Sequence, residues 1–345
     1  MSITVPMTWL ELVALFAMTL IVSLAGTRGV LAYLRRRAIL DHPNERSSHA
    51  RPTPRGGGLA VAAVMIGAWV LVGARDSTDP GGVWIVCAVA FALAALSWMD
   101  DLRGLPVHWR LIGQISAVAV TLSMVDLPGP FFAGLLSPTL DIVAAGIMWV
   151  WFINLFNFMD GIDGITGIES ACIGAGVVLI AVITGTPGPM APLGLAVTAT
   201  ALGFLWWNWQ PARIFLGDVG SISLGFFLGW LLLTVSASGQ WAAALILPSY
   251  YLADATITLV RRLLRSERIW HAHREHFYQR AVQRGLSHGA VAGIVLLANL
   301  ILIAFAGLAA TGRAWPALVG ACIVVTILLL FLESGSVRGK RWRRP

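Results

Sequence analysis

"PTLDIVAAGIMWVWFINLFNFMDGIDGITG" (residues 138–167) opens as one kind of chain and closes as another. Residues 136–155 carry a single charge, Asp141, and an apolar run of about 20 residues is the length that crosses a bilayer as a helix. Polar groups then crowd in, with Asn154, Asn157, Asp160 and Asp163 at steps of three and Gly161 and Gly164 between them. Each step of three on a helix drifts by about 60°, so on a continuing helix the four would spread over half the circumference. They converge if the helix stops. Glycine leaves helical geometry readily and admits a ligand close to the backbone, so the spacing predicts a helix to about Asp160, with Asp163 brought back on a turn.

The apolar half of this pattern recurs along the chain. We read eleven membrane-length runs, near 8–34, 56–74, 82–99, 109–125, 138–158, 165–184, 190–207, 219–236, 240–261, 288–311 and 314–332. With 57% hydrophobic and 12% charged residues, the class is an all-α integral membrane protein, a polytopic bundle forming one domain over 1–345. A basic tail over 333–345 ends the chain. Loops are too short to hold a folded soluble domain. No basic residue precedes the first run and Arg35, Arg36 and Arg37 follow it, the charge order of a retained helix rather than a cleaved leader.

The charge of +7 is distributed by side. If the first helix enters from outside, the inner side receives Arg35, Arg36, Arg37, Arg46, Arg51, Arg55, Arg103, Arg110, Arg213, the cluster over 261–284 and the tail over 338–344. The outer loops receive Arg75 and Arg313. The N-terminus is then outside and the C-terminus inside, so that any active site on the inner side lies on the cytoplasmic face. Basicity is thus a topology signal and implies no nucleic-acid partner. Cys87, Cys172 and Cys322 lie within apolar runs without metal or disulfide spacing and read as small hydrophobes.

The same inner side collects the remaining unusual residues. Asp100 and Asp101 close the third run; neighbours on a helix diverge by about 100°, so one can face a ligand and the other a basic partner. "FLGDVGS" (215–221) sets Asp218 between two glycines at a helix start, where it either caps the helix or faces a phosphate or metal. Carboxylate and amide oxygens beside phosphates favour Mg²⁺, with Mn²⁺ as the alternative. "HREHFYQR" (273–280) follows His271. Three histidines would suit zinc, but Arg268, Arg274 and Arg280 disfavour a second cation and suit phosphate oxygens instead. Asp254 lies inside the ninth run, seven residues before Arg261 and on about the same face, which leaves either an intramembrane function or a pairing with that arginine.

In order, "RPTPRGGG" (51–58), the double Asp, "NLFNFMDGIDG" (154–164), "FLGDVGS" and the late His-rich loop resemble the polyprenyl-phosphate N-acetylhexosamine-1-phosphate transferases, glycosyltransferase family 4. The form of "HREHFYQR" is closest to the branch that initiates O-antigen. The resemblance implies a phosphoglycosyltransferase of the bacterial cytoplasmic membrane that moves a sugar 1-phosphate from a UDP-N-acetyl sugar to undecaprenyl phosphate and releases UMP. It implies Mg²⁺ on Asp218 and Asn157, Asp100 at the lipid phosphate with Asp101 beside it, and Asp160 organising the phosphates. Gly161, Asp163, Asn208 and Phe215 match positions around the uridine; His273, Arg274 and His276 match the sugar and pyrophosphate site. The lipid bilayer is the remaining partner, and a homodimer is compatible with it. For the Arg51 to Gly58 stretch the sequence supports only a basic, flexible wall. The competing class is a transporter with Asp100, Asp160, Asp218 and Asp254 as an ion or proton route; against it, three of the four acids sit at helix ends on one side, and no internal repeat is evident.

Overall fold

A computed structural model describes residues 7–43, 51–75, 80–186, 188–267 and 273–334. The described residues are mostly helical: α1 (Trp9–Arg36), α2 (Gly58–Arg75), α3 (Pro80–Arg103), α4 (Val107–Met124), α5 (Pro138–Phe158), α6 (Ile165–Thr184) and α7 (Met190–Asn208). There follow α8 (Asp218–Val235), α9 (Trp241–Ile246), α10 (Ser249–Leu264), α11 (Phe277–Gln283), α12 (His288–Ala310) and α13 (Ala314–Ser334). A hairpin of two-residue strands, β1 (Leu40–Asp41) and β2 (Thr53–Pro54), joins α1 to α2. The hairpin connection over 44–50, His271, Arg268 and the tail from 335 onward lie outside the described residues.

Among the described residues, nine helices are long and apolar enough to cross a membrane, so this is a multi-pass membrane protein. Two of the eleven expected runs do not meet that measure. The fourth forms α4, whose first two turns carry His108, Arg110 and Gln114. The ninth breaks at Leu247–Pro248 into α9 and α10: Pro248 has no N–H to donate back into α9, and its own backbone leaves helical geometry at φ −91° and ψ 11°. Ahead of that break, α8 passes into α9 through a π-turn at Ser236–Gln240, with Gly239 at φ 88°.

Sequence accounts for the local starts and stops. Thr8 and Glu11 form a reciprocal capping box at α1. The central element is α8, buried along almost its whole length, while α1 and α13 present most of their surface outward. Small residues let its neighbours approach closely. A Cβ on Gly58 would fall 2.1 Å from the Gly220 nitrogen, so the starts of α2 and α8 touch backbone to backbone. Around the middle of α8, Trp149 stacks on Phe226 and its Nε1–H donates to the Phe226 carbonyl at 3.0 Å. The ends of α3, α5 and α7 meet the starts of α4, α6, α8 and α12 at one end of the bundle, as their hydrogen bonds below establish.

Candidate active site

At that end, α5 stops at Phe158, two residues before the expected point, and residues 159–164 turn back into α6 with Gly164 in the left-handed region at φ 81°. The turn is anchored on three sides. Asn208 at the end of α7 accepts the Gly164 N–H on Oδ1 (2.9 Å) and donates Nδ2–H to the Ile214 carbonyl (2.9 Å). Asp163 accepts the Ala212 N–H on Oδ2 (3.0 Å), and its Oδ1 lies 3.2 Å from His288 Nδ1 at the start of α12. Tyr278 Oη donates to the Phe158 carbonyl (3.1 Å) and stands where a Cβ on Gly161 would be, 2.2 Å away. Asp163 and Asn208 are therefore bonded into the scaffold through their side-chain polar atoms.

Asp218 opens α8, but it does not cap it. The cap comes from Asp101 on α3, whose Oδ1 and Oδ2 accept the N–H groups of Asp218 (3.0 Å) and Val219 (2.9 Å). Two of the helix's unfilled N-terminal donors are thus satisfied from outside, where a carboxylate also meets the positive end of the helix dipole. The Asp218 carboxylate is released to face two guanidinium groups, Arg55 Nη2 at 2.7 Å and Arg110 Nη1 at 3.4 Å. Arg55 also pairs with Asp101 (3.0 Å) and Arg110 with Asp100 (3.2 Å). Asp100 accepts the Leu105 N–H on Oδ1 at 2.6 Å, which holds the turn from α3 into α4.

The "RPTPRGGG" stretch is not a flexible wall. Phe215 N–H donates to the Pro54 carbonyl (2.8 Å), its carbonyl accepts from Gly56 and Gly57, and Gly58 N–H donates to Leu216 O (2.8 Å). These bonds lay Arg55 over Asp218. Burial alone would lower the Arg55 pKa, but the Asp218 and Asp101 carboxylates hold it above the usual guanidinium value. Asp160 completes the cluster: Thr166 Oγ1 donates to its Oδ1 at 2.7 Å, and burial, with Asp218 and Asp101 adding to it, pushes its pKa up to about 6. Asn157, on the last turn of α5, accepts from Ser221 Oγ on the first turn of α8 at 2.6 Å.

The late loop reaches the same turn from the other side. His273 and His276 lie with ring centroids 4.9 Å apart, and His276 is the N-cap of α11 rather than part of a longer helix. His273 Nδ1 accepts the Glu275 N–H (3.4 Å), and the Arg274 carbonyl accepts from Gln283 Nε2 (2.7 Å). Asp254 does not pair with Arg261. It is buried against the start of α11 and lies 3.1 Å from His276 Nδ1, while Arg261 pairs with Glu333 at 3.2 Å.

The cluster thus sets four carboxylates, Asp100, Asp101, Asp160 and Asp218, against the two guanidinium groups of Arg55 and Arg110. Its excess of negative charge and its all-oxygen donor set fit a hard divalent cation. The buried Asp100 Oδ2 makes no hydrogen bond and faces the Arg110 guanidinium at 3.2 Å. Among the described residues no three His, Cys, Asp or Glu side chains make a cage on their own. Magnesium suits such a site, because it takes few protein ligands and fills its shell with phosphate and water. Arg110 and His288 were not singled out as site groups from the sequence; Arg55 was read only within a basic wall, and Asp254 was left between an intramembrane function and a pairing with Arg261.

The model of glycosyl transferase family 4 matches residues 83–236, which hold the double Asp, the 154–164 motif and "FLGDVGS". A Bacillus subtilis protein described as a probable undecaprenyl-phosphate N-acetylglucosaminyl 1-phosphate transferase is 26% identical over 326 residues, covering 91% of this chain and 89% of that protein. Decaprenyl-phosphate N-acetylglucosaminephosphotransferases of Mycobacterium leprae and Mycolicibacterium smegmatis are 27% and 28% identical, covering 86% and 95% of this chain and 82% and 89% of theirs. These alignments extend beyond the matched span to the hairpin side and the late loop. A four-acid, two-arginine cluster at one end of an apolar helix bundle thus sits in a chain that matches the glycosyl transferase family 4 model over residues 83–236 and is similar along most of its length to such transferases.

Proposed function

We propose that this protein transfers an N-acetylhexosamine 1-phosphate from a UDP-sugar to undecaprenyl phosphate, releasing UMP and leaving a lipid-linked sugar diphosphate. The observation that carries the reading is the release of Asp218 by the Asp101 cap into a cluster with Arg55 and Arg110. Guanidinium forks bind phosphate oxygens well, and both reagents bring phosphates. In the reaction an oxygen of the lipid phosphate attacks the β-phosphorus of the donor. The bond from that phosphorus to the bridging oxygen breaks, and UMP leaves with the electron pair. Phosphoryl transfer needs positioning and charge neutralisation more than covalent help, so direct displacement is favoured over an enzyme-bound intermediate. Stoichiometric UMP release from enzyme and UDP-sugar without lipid would refute that.

Asp218 and Asn157 would hold Mg²⁺, whose contribution is to neutralise charge on the pyrophosphate as UMP departs. Arg55 and Arg110 bind phosphate, Asp100 lies at the lipid phosphate, and Asp160 organises the remaining phosphate contacts. Gly161 gives the donor close access to the turn, with Asp163, Asn208 and Phe215 shaping the nucleoside side. His273, Arg274 and His276 take the sugar and pyrophosphate. An apolar cavity of about 500 Å³ between α5, α8, α9 and α10, lined by Trp149, Phe152, Leu233, Trp241 and Leu252 among others, suits an isoprenoid chain.

We place the N-terminus outside and eleven spans in the bacterial cytoplasmic membrane, counting α4 and the broken α9–α10 pair, so that the site opens to the cytoplasm where UDP-sugars are made. The broader role is initiation of O-antigen or a related surface polysaccharide. The test is a donor panel. Purified protein, undecaprenyl phosphate, Mg²⁺ and each UDP-N-acetyl sugar are incubated and the lipid product identified by mass spectrometry; no UMP from any donor would overturn the assignment.

A further inference from the structure

Asp254 sits on α10 with no exposure, and an intramembrane carboxylate is costly unless its lone pairs are filled. Five donors surround it. His276 Nδ1 (3.1 Å), Phe277 N–H (3.0 Å) and Thr258 Oγ1 (3.4 Å) meet Oδ1, while Tyr278 N–H (3.3 Å) and Tyr250 Oη (3.2 Å) meet Oδ2. Among the described residues no arginine or lysine pairs with it. A carboxylate only accepts, so the imidazole nitrogen facing it carries the proton and Nε2 remains on the other side of the ring. The next residues tie the imidazole to the catalytic turn. The Tyr278 ring stacks on His276 with centroids 5.7 Å apart, and Tyr278 Oη donates to the Phe158 carbonyl beside Gly161.

We propose that Asp254 is a positioning residue: it fixes His276 as the Nδ1–H form and anchors the first turn of α11, so that Nε2 is presented to the donor's diphosphate. The inference rests on the reading of His276 as a donor-binding group, and it adds the acid that orients it. The arrangement follows a general logic in which a buried acid sets the tautomer and direction of a histidine while never touching substrate.

The test has an arm that does not depend on turnover. In spectra of purified protein with ¹⁵N-histidine, in nanodiscs, the signal lost on His276→Gln should report a protonated Nδ1 and should move on Asp254→Asn. In the UMP-release assay with UDP-GlcNAc, undecaprenyl phosphate and Mg²⁺, Asp254→Asn should lower kcat about 10- to 100-fold. Helical content should stay near that of the wild type and the melting midpoint should fall only modestly, since asparagine keeps an oxygen for the Phe277 N–H while turning its amide towards that of Tyr278. In the His276→Gln background the same change should cost less than about threefold, because residues acting as a unit are not additive. Tyr250→Phe removes one bond to Asp254 without touching the cap and should lower kcat more mildly, again only while His276 is present. Equal losses in both backgrounds, or an unmoved His276 signal, would overturn the proposal. A wild type that releases no UMP but shows the expected shift would instead sink the reaction and leave the positioning intact.

Discussion

Asp101 and Asp141 make the same pair of bonds at opposite ends of the molecule. Asp101 receives the N–H groups of Asp218 and Val219 at 3.0 and 2.9 Å; Asp141 receives those of Phe132 and Phe131 at 3.0 and 2.8 Å. Each is a buried acid on one element that satisfies backbone donors on another, and each draws on hydrogen bonding to justify its burial. Their surroundings separate them. Asp101 stands beside Arg55 and adjoins Asp100 and Asp218, whereas Asp141 has no described ion pair and faces the Phe131 turn, which Ser236 also binds through the Phe131 carbonyl. Buried acids at helix ends therefore do not by themselves mark chemistry. What marks it is a second acid released by the first.

The largest effect should come from that released acid. Asp218→Asn keeps shape and volume but removes the charge that faces Arg55 and Arg110. UMP release should fall by about a thousandfold or more, while helical content and melting midpoint stay close to wild type. Isothermal titration with Mg²⁺ should lose its heat in the same variant. Substantial turnover in Asp218→Asn would remove the distinction between the two ends of the bundle.

Changing the caps themselves tests the comparison directly. Asp101→Asn and Asp141→Asn each turn one acceptor into a donor aimed at a backbone N–H, a loss of about 1–3 kcal/mol of stability for either. Asp101→Asn should in addition cut turnover about 10- to 100-fold, because the start of α8 carries Asp218 and its orientation depends on that cap. Asp141→Asn should leave kcat near normal at temperatures where the protein stays folded. Paired denaturation curves and UMP assays read both, and an equal drop in kcat would mean that capping, not proximity to the cluster, governs turnover.

Much of this was visible in one dimension, and the rest could not have been. The apolar runs, the stop after α5 and the glycine turn at 161–164 are local facts, carried by composition and by residues within one helical turn of each other. Pairings such as Asp101 with Asp218, Asp163 with His288 or Arg110 with Asp218 join residues more than a hundred positions apart and leave no periodic trace. Asp254 shows the cost: a pairing with Arg261 on the same face was one of two open readings, yet the chain returned α11 instead. The ninth run misled in the opposite way, because its hydrophobicity hid the effect of Pro248, a break that sequence carried in plain letters. Arg55 was legible only as charge; backbone bonds between the 53–58 and 215–216 segments give it a direction.

A smaller effect should appear where the late loop leans on the turn. At Gly161 a Cβ would lie 2.2 Å from Tyr278 Oη and 3.1 Å from Gln279 Nε2, so Gly161→Ala must push the start of α11 away. A shift of that kind is short of an ångström or so, and turnover should fall about tenfold with the fold retained. Tyr278→Phe removes the obstructing oxygen at the expense of its bond to the Phe158 carbonyl. The double variant should therefore turn over faster than Gly161→Ala alone. A double variant slower than either single would show that the turn and α11 are not in contact through that oxygen.

The smallest effect belongs to the pair at the end that carries Asp141. Glu11 and Arg75 meet at 2.7 Å, yet their side chains are 33% and 55% exposed, and Glu11 already serves the Thr8 capping box. Water and salt screen such a pair, and holding two long side chains together costs entropy, so little net stability remains. Arg75→Gln should leave the melting midpoint and kcat within measurement error, and raising the salt concentration should change the wild type and the variant alike. A destabilisation as large as that of Asp141→Asn would show that this end relies on its charges, as the Asp218 end does, and the contrast between an apolar cap and a charged cluster would no longer hold.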